Sequence, residues 1–565
     1  MMKSLLALRL TSATALCLAI GLTGCATSPS AGVSTANPAV GTMSDPSFGR
    51  YQVYTMPLPE GIKVQRATFT PSGKVLIDYT EAGDTNRNLL KLATLNPDGT
   101  GMRPFFAQEL SDVPTGGVNL MILPDDRRIY TGDYVIECQQ ALALCENPQL
   151  LPVEFPDEVA KGRDYISHHR SEVIVSPDNE HVAWTALLSN YSAMVFTGKL
   201  EKHGSGYRLA DPQIISSLHP FKPDPGHPDG VLPQPVRGGE VKQFVSGGTA
   251  ISLVGIVNHA LPDSTVQHLS DGRIEAITNT PGYTETTIFS PDERLGMTMT
   301  TGFSEKTDMA VVGLMPRPYP DSLNIGLARY AYTYGVSGVR RSRPGNIGPA
   351  LIDISKAKKQ DGYLGANLST DESWVYESPM SWHPSGKMAM WQERRRQAAG
   401  NNDEGDRIQI VRLLDYAPGA APAVRPWSLN KAYTSSDLSV AKKQAAGGHD
   451  LDVKVYGRAS GYLTYRRTAG GTIEKVYYDF SDDGRSVYSG SERMEGNPRG
   501  RSTYTAAVAL KGPTPGEMKL KMTFGPLGGE LPSRIIFEED ASGRPLSFGY
   551  AQYGSQRLEV GTLVP

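Results

Sequence analysis

An all-β chain in two parts, a series of small repeated sheets followed by a long antiparallel meander, is what three observations in these 565 residues predict. One turn segment of constant design occurs five times between residues 69 and 391. Turns of the Asp-Gly type recur between those copies, at Asn96-Pro97-Asp98-Gly99 and Ser270-Asp271-Gly272-Arg273. After about residue 450 the pattern changes to longer runs of strict apolar and polar alternation, the period of a half-buried strand.

The chain opens on Lys3 and Arg9, an apolar run from Leu10 to Leu22 too short to span a membrane comfortably, and then small residues, which together read as a secretion signal over 1–24. Its end, Leu22-Thr23-Gly24-Cys25, resembles the lipobox of bacterial lipoproteins. That resemblance implies cleavage before Cys25 and lipidation of its thiol, and Ala26 in the next position implies the periplasmic face of the outer membrane. Acyl chains hold durably because each buried methylene contributes about 0.8 kcal/mol. Residues 25–48 are Ser, Thr, Ala, Gly and Pro with few large apolar side chains, so a disordered tether with an r.m.s. reach of about 25–30 Å is expected.

The repeated segments are Phe69-Thr70-Pro71-Ser72-Gly73-Lys74, Ile122-Leu123-Pro124-Asp125-Asp126-Arg127, Val175-Ser176-Pro177-Asp178-Asn179-Glu180, Phe289-Ser290-Pro291-Asp292-Glu293-Arg294 and Trp382-His383-Pro384-Ser385-Gly386-Lys387. In each, Pro sets φ for the turn, Asp or Ser bonds back to the backbone, and an alternating strand follows, the chemistry of a hairpin. The prolines at 71, 124, 177, 291 and 384 stand 53, 53, 114 and 93 apart, and the third interval, near two units, points to a degenerate copy around Gln243 to Val257 beside Gly247-Gly248. These copies resemble the Pro-Asp variant of the WD40-like repeat in the propeller of TolB and related periplasmic proteins. The resemblance implies a β-propeller over 49–417, and about 50 residues per blade implies six to eight blades, with seven the central expectation. TolB carries an α/β domain ahead of its propeller for which no room exists between Cys25 and the first repeat, so the resemblance does not imply TolB's own partners. No Gly-x-Ser-x-Gly elbow is present, since Gly335-Val336-Ser337-Gly338 and Gly490-Ser491-Glu492 depart from it, and a serine peptidase is excluded.

An Ala, Pro and Gly-rich linker covers 418–449. Beyond it, over 450–565, Tyr462–Arg466, Lys475–Phe480, Met518–Met522 and Arg534–Phe537 read as strands, with hairpin turns at Asp482-Asp483-Gly484 and Ser542-Gly543-Arg544. This is a C-terminal antiparallel β-meander that either packs on the propeller or supplies its last blade. Of four cysteines, Cys17 leaves with the signal and Cys25 is lipidated, while Cys138 and Cys145 are spaced for a disulfide in an oxidising compartment.

Propellers bind through loops at their faces, and three insertions stand out. Ser217–Gly239 holds His219, Asp224, His227 and Asp229, a set that could hold a divalent metal although it matches no standard spacing; a Pro-stiffened surface loop is the plainer reading. Arg329-Tyr330-Ala331-Tyr332-Thr333-Tyr334 reads as a strand with Tyr330, Tyr332 and Tyr334 on one face, followed by Arg340, Arg341 and Arg343; rings and forked guanidinium groups suit sugars and their acidic substituents. Asp164–Ser171 carries His168 and His169, which with Tyr334 and Arg340 could act as base, acid and carboxylate neutraliser on a uronic acid, only one of the two histidines facing such a site. Asn401-Asn402-Asp403-Glu404-Gly405-Asp406 could bind calcium or form a solvated turn; no other cofactor is suggested. Without the signal the chain has 54 basic and 59 acidic residues, which gives no nucleic-acid signature. The expectation is therefore a lipid-anchored envelope propeller that binds a protein complex or a polysaccharide as a scaffold, with a carbohydrate-active lyase or hydrolase on an anionic glycan as the alternative.

Overall fold

The structure, a computed structural model, describes residues 42–564 apart from 87, 111–119, 397–405, 448–449 and 528–532. The signal, Cys25 and the run 401–405 lie outside the described residues.

The repeats fold into six four-stranded antiparallel units around an axis, the blades of a β-propeller, and blades 2 and 3 are joined at their outer strands by a short parallel pair, Val153 opposite Tyr207 and Glu154 opposite Arg208. Their innermost strands are Ile62–Phe69, Met121–Ile122, Ile166–Val175, Val241–Val245, Thr284–Phe289 and Trp374–Trp382. Each Pro-Asp or Pro-Ser turn joins an innermost strand to the next one out, and the degenerate copy at 241–255 is a full blade. Each blade buries an apolar face against the next. Leu76 and Leu92 of blade 1 meet Ile129 and Ile136 of blade 2, Ile174 of blade 3 meets Ile251 of blade 4, and Val75 and Ile77 of blade 1 meet Ile408 and Ile410 of blade 6. Blade 6 takes its fourth strand, Gly49–Thr55, from the N-terminal end of the described chain, with Tyr51 opposite Leu413 and Thr55 opposite Gln409. Ring closure thus uses strand hydrogen bonds between distant parts of the sequence.

Six blades stand at the low end of the expected range. The residues that an even division would give to a seventh lie in the arm 217–239 and in a helical insertion between the second and third strands of blade 5. The tether also ends earlier than expected: Thr42–Asp45 is a fifth strand on blade 6, and Phe48 is buried against Tyr51. Cys138 and Cys145 are joined as a disulfide.

The C-terminal part is its own eight-stranded antiparallel meander, from Leu451–Tyr456 to Gln556–Glu559, and does not complete the propeller. Arg534–Phe537 is not a strand; only Ile535 bridges to Phe524, because the paired edge of Gly516–Phe524 is taken by Phe548–Tyr553. The inward face of the meander buries two charged groups, Glu492 and Lys475. Glu492 is fully buried, meets Arg317 of the blade 5 insertion at 3.0 Å and accepts hydrogen bonds from Tyr477 at 2.8 Å and Tyr504 at 2.7 Å. Lys475 meets Asp321 of the same insertion at 2.8 Å. The arm 217–239 fastens the meander, and the segment after Leu413 lies on the propeller. The arm places Phe221 against Tyr465 and stacks His227 on Tyr456 at 3.9 Å, and the segment after Leu413 runs over the turn face of the propeller, where Tyr416 donates to Asp292 and Trp427 stacks on His181 at 4.1 Å.

Removing one partner of a buried pair leaves an uncompensated charge, which costs about 3–5 kcal/mol. Glu492→Ala is expected to lower the unfolding free energy from urea titration, followed by tyrosine fluorescence, by that amount, whereas Glu517→Ala, a half-exposed carboxylate two strands away, leaves it nearly unchanged.

Candidate functional site at the channel mouth

The expected strand of tyrosines is a helix. Asp321 caps it, accepting from the Leu323 amide, while the Asn324 side chain returns to the Asp321 amide, a capping box. Leu323, Leu327, Tyr330, Ala331 and Tyr334 then recur at helical spacing and are all buried. The α-helix Ser322–Ala331 passes into a π-helical stretch, Tyr332–Ser337, and a last turn, Gly338–Arg341. Alternation of three tyrosines suggested a strand only because Tyr330 and Tyr334 are also four apart.

One face of this helix is the core of the meander. Tyr330 stacks on Phe524 at 4.2 Å, Tyr334 donates to the Leu563 carbonyl at 2.7 Å, and Gly326 lies so close to Met494 that a β-carbon would come within 2.8 Å of the sulfur. The other face carries Ile325, Arg329 and Tyr332, spaced i, i+4 and i+7, and Tyr332 reaches the charged groups at the propeller axis. Tyr332 is 37 % exposed, and burial pushes its phenol up to about 12, with Arg340 and Lys242 opposing and Glu285 and Glu240 adding to the rise. Its ring lies 6.0 Å from that of Tyr283.

Bulges in the innermost strands aim charged groups at the axis. Lys242 is the bulged residue of blade 4, and register shifts also fall beside Glu172 in blade 3, Glu285 in blade 5 and Glu377 in blade 6. The Lys242 ammonium meets Glu172 at 2.9 Å, Glu240 at 3.1 Å and Glu285 at 3.3 Å, using its three donors on three carboxylates. Burial, with Lys242 opposing and Glu240 and Glu285 adding repulsion, pushes Glu172 up to about 7, and its second oxygen has no hydrogen-bond partner. Arg340 enters from the helix side, donating to the Tyr376 carbonyl at 3.3 Å, with Glu377 at 3.6 Å.

The sequence-derived candidates therefore separate. Tyr332 and Arg340 reach the channel, whereas Tyr330 and Tyr334 pack in the meander. Arg343 covers the Tyr334 ring at 3.8 Å, and Arg341 is exposed. His169 is buried and bonds Asp133 at 2.6 Å, and His168 is exposed beside Ser167, so neither histidine joins Tyr334 and Arg340 in one catalytic set. His219 is exposed while His227 serves the arm, bonded to Asp224; among the described residues no group of three or more His, Cys, Asp or Glu is placed to hold a metal. Sequence reading missed Glu172, Lys242, Glu285 and Glu377. Their signal was a charged residue in an innermost strand, about five to seven residues before the turn.

No protein-family model matches the chain, and no curated protein matches it in sequence. Solved structures similar to it include a protein assigned as TolB from Agrobacterium tumefaciens, at 11 % identity and TM-score 0.32 over 59 % of this chain and 91 % of that one. TolB from Acinetobacter baumannii is similar at 11 % identity and TM-score 0.30, over 62 % and 63 % of the two chains. The propeller assignment itself rests on the strand pairing and the closed series of inter-blade cores.

The carboxyl of Glu172 binds its proton more tightly in the folded chain than in the unfolded one. Its contribution to stability is full below about 4.5, the unfolded value, and is lost as pH rises toward about 7. Glu172→Gln is expected to reduce the fall in melting midpoint between pH 5 and pH 8 by a few degrees; an unchanged pH dependence contradicts the assigned protonation.

Proposed function

We propose that this chain is a lipid-anchored cell-envelope binding or scaffold module, held at the periplasmic face of the outer membrane through Cys25, whose ligand-facing element is the channel mouth lined by the blade 5 insertion. The observation that carries the binding role is the division of that helix into two faces, one consumed by the meander core and one left open to a channel lined with Tyr332, Lys242, Glu240 and Glu285. A helix face that is only needed for packing has no reason to present an aromatic ring and charges to an internal vestibule, since burying such groups is costly. The anchor is supported by Lys3, Arg9, the apolar run to Leu22 and Leu22-Thr23-Gly24-Cys25. The partner is an envelope protein or polysaccharide, and the acidic balance of the chain disfavours nucleic acid.

The carbohydrate-active enzyme reading is less well supported, because His169, Tyr334 and Arg340 each serve different structural neighbours.

Two measurements test this reading. Cys25→Ser is expected to move the protein from the membrane fraction to the soluble fraction, and continued membrane association contradicts lipidation. A partner that binds the folded state raises the melting midpoint by mass action. With envelope polysaccharides as probes, that shift is expected to fall by at least half in Tyr332→Ala, whereas an unchanged shift places binding elsewhere.

A further inference from the structure

The other deeply placed arginines of this part of the molecule are accounted for. Arg317 has Glu492, Arg340 has Glu377, Arg343 covers Tyr334, and Arg396 donates to the carbonyls of Arg343 and Gly345 at 2.8 and 2.7 Å. Arg329 differs. It lies on the open face of the helix, between Ile325 and Tyr332, and among the described residues its guanidinium has no hydrogen bond and no carboxylate partner. The titratable groups that face it are the phenols of Tyr330, on its own helix, and Tyr191, on the turn between the second and third strands of blade 3. Burial without a counter-charge holds its pKa below the ordinary arginine value. An unpaired guanidinium in such a place carries an unmet demand for an anion, and its planar fork is shaped for a carboxylate.

The surroundings narrow the class of anion. Tyr191 is 42 % exposed and is held at a φ of 65°, which a bulky residue rarely adopts, so the turn presents the ring outward at some conformational cost. Tyr332 lies three residues from Arg329 on the same helix face, about 5–6 Å away at Cβ. Beyond Tyr332 is the carboxylate of Glu240, one-third exposed and able to accept from a hydroxyl group. One cation, two aromatic rings and a carboxylate acceptor in succession match a sugar that carries both an acid and hydroxyls. They suit a bare inorganic anion poorly, because it offers no ring face to the tyrosines and no hydroxyl for Glu240 to accept from.

We propose that Arg329, with Tyr191 and Tyr332, forms a binding site for an acidic sugar unit of the hexuronate type, its carboxylate on the Arg329 guanidinium, a ring face on tyrosine and its hydroxyls toward the Glu240 end of the vestibule. This inference rests on the channel mouth being the ligand-facing element and names the class of ligand it takes.

The test uses the full mature protein and titration calorimetry with hexagalacturonate, a neutral glucose hexamer and inorganic sulfate as separate probes. Hexagalacturonate is expected to bind, the neutral hexamer at least tenfold more weakly. Losing a hydrogen bond to a charged group weakens binding by about tenfold or more, so Arg329→Gln is expected to do that. Arg329→Lys, which keeps the charge and loses the fork, is expected to fall between the two and guards against a folding defect in the first variant. Equal binding of hexagalacturonate by wild type and both variants overturns the site, as does the absence of any hexagalacturonate binding. Sulfate binding as tight as hexagalacturonate overturns the sugar assignment. A neutral glycan whose binding is lost in Tyr332→Ala and kept in Arg329→Gln overturns the acidic class while leaving the channel mouth as the binding element.

Discussion

Glu492 cannot sit ionised on the inward face of an apolar sheet unless a cation is brought to it. Here the cation is Arg317, delivered from a different part of the molecule, and two tyrosine hydroxyls complete the shell. The same logic repeats one strand away, where Lys475 meets Asp321, the residue that also caps the helix. Buried charges add little net stability relative to apolar substitutes, but they tolerate only one arrangement, because every other docking leaves a charge bare. The position of the insertion within the meander is fixed by this requirement. So is the side of the helix turned toward the propeller.

That fixed helix gives the channel its character. Bulges place Lys242 and the glutamates at the axis, where one ammonium serves three carboxylates from blades 3, 4 and 5. Arg340, from the last turn of the insertion, extends the network to Glu377 in blade 6. The channel is therefore organised by charge at its centre and by a helix face at its mouth. Groups that the helix does not spend on the meander, Arg329 and Tyr332, become available to a ligand. Fold and proposed function meet in a single element, which explains how a repeat architecture common to many activities can acquire a particular site through one insertion.

Much of the ring was legible because its signal is local. A Pro-Asp or Pro-Ser turn dictates its own backbone, and five copies marked five blades, with the weak sixth recoverable from an interval twice the usual length. The number of blades was less legible, since an interval of 93 residues between Pro291 and Pro384 conceals a helical insertion that a count by length treats as strands. The strand Gly49–Thr55 pairs with a segment more than 350 residues away, and no local pattern announces a long-range closure. The helix is hidden by the tyrosines, whose alternation matches a strand, although Leu323 and Leu327 share a helical period with Tyr330 and Tyr334 behind the Asp321 cap. At the site, Tyr332 and Arg340 were identified as residue types suited to binding, but Tyr330, Tyr334 and Arg343 share those types and pack in the interior. Only three-dimensional packing separates them.

The central claim is that the insertion is the shared core of the meander and the lining of the channel mouth. Amide hydrogen exchange over residues 322–337 tests it most directly, because opening free energy reports how deeply a segment is built into its surroundings. The account predicts that these amides exchange as slowly as those of Val487–Gly496 and Ser502–Lys511, the strands around Glu492. Rapid exchange of 322–337 while those strands stay protected would show that the helix is a detachable surface element, and would contradict the account.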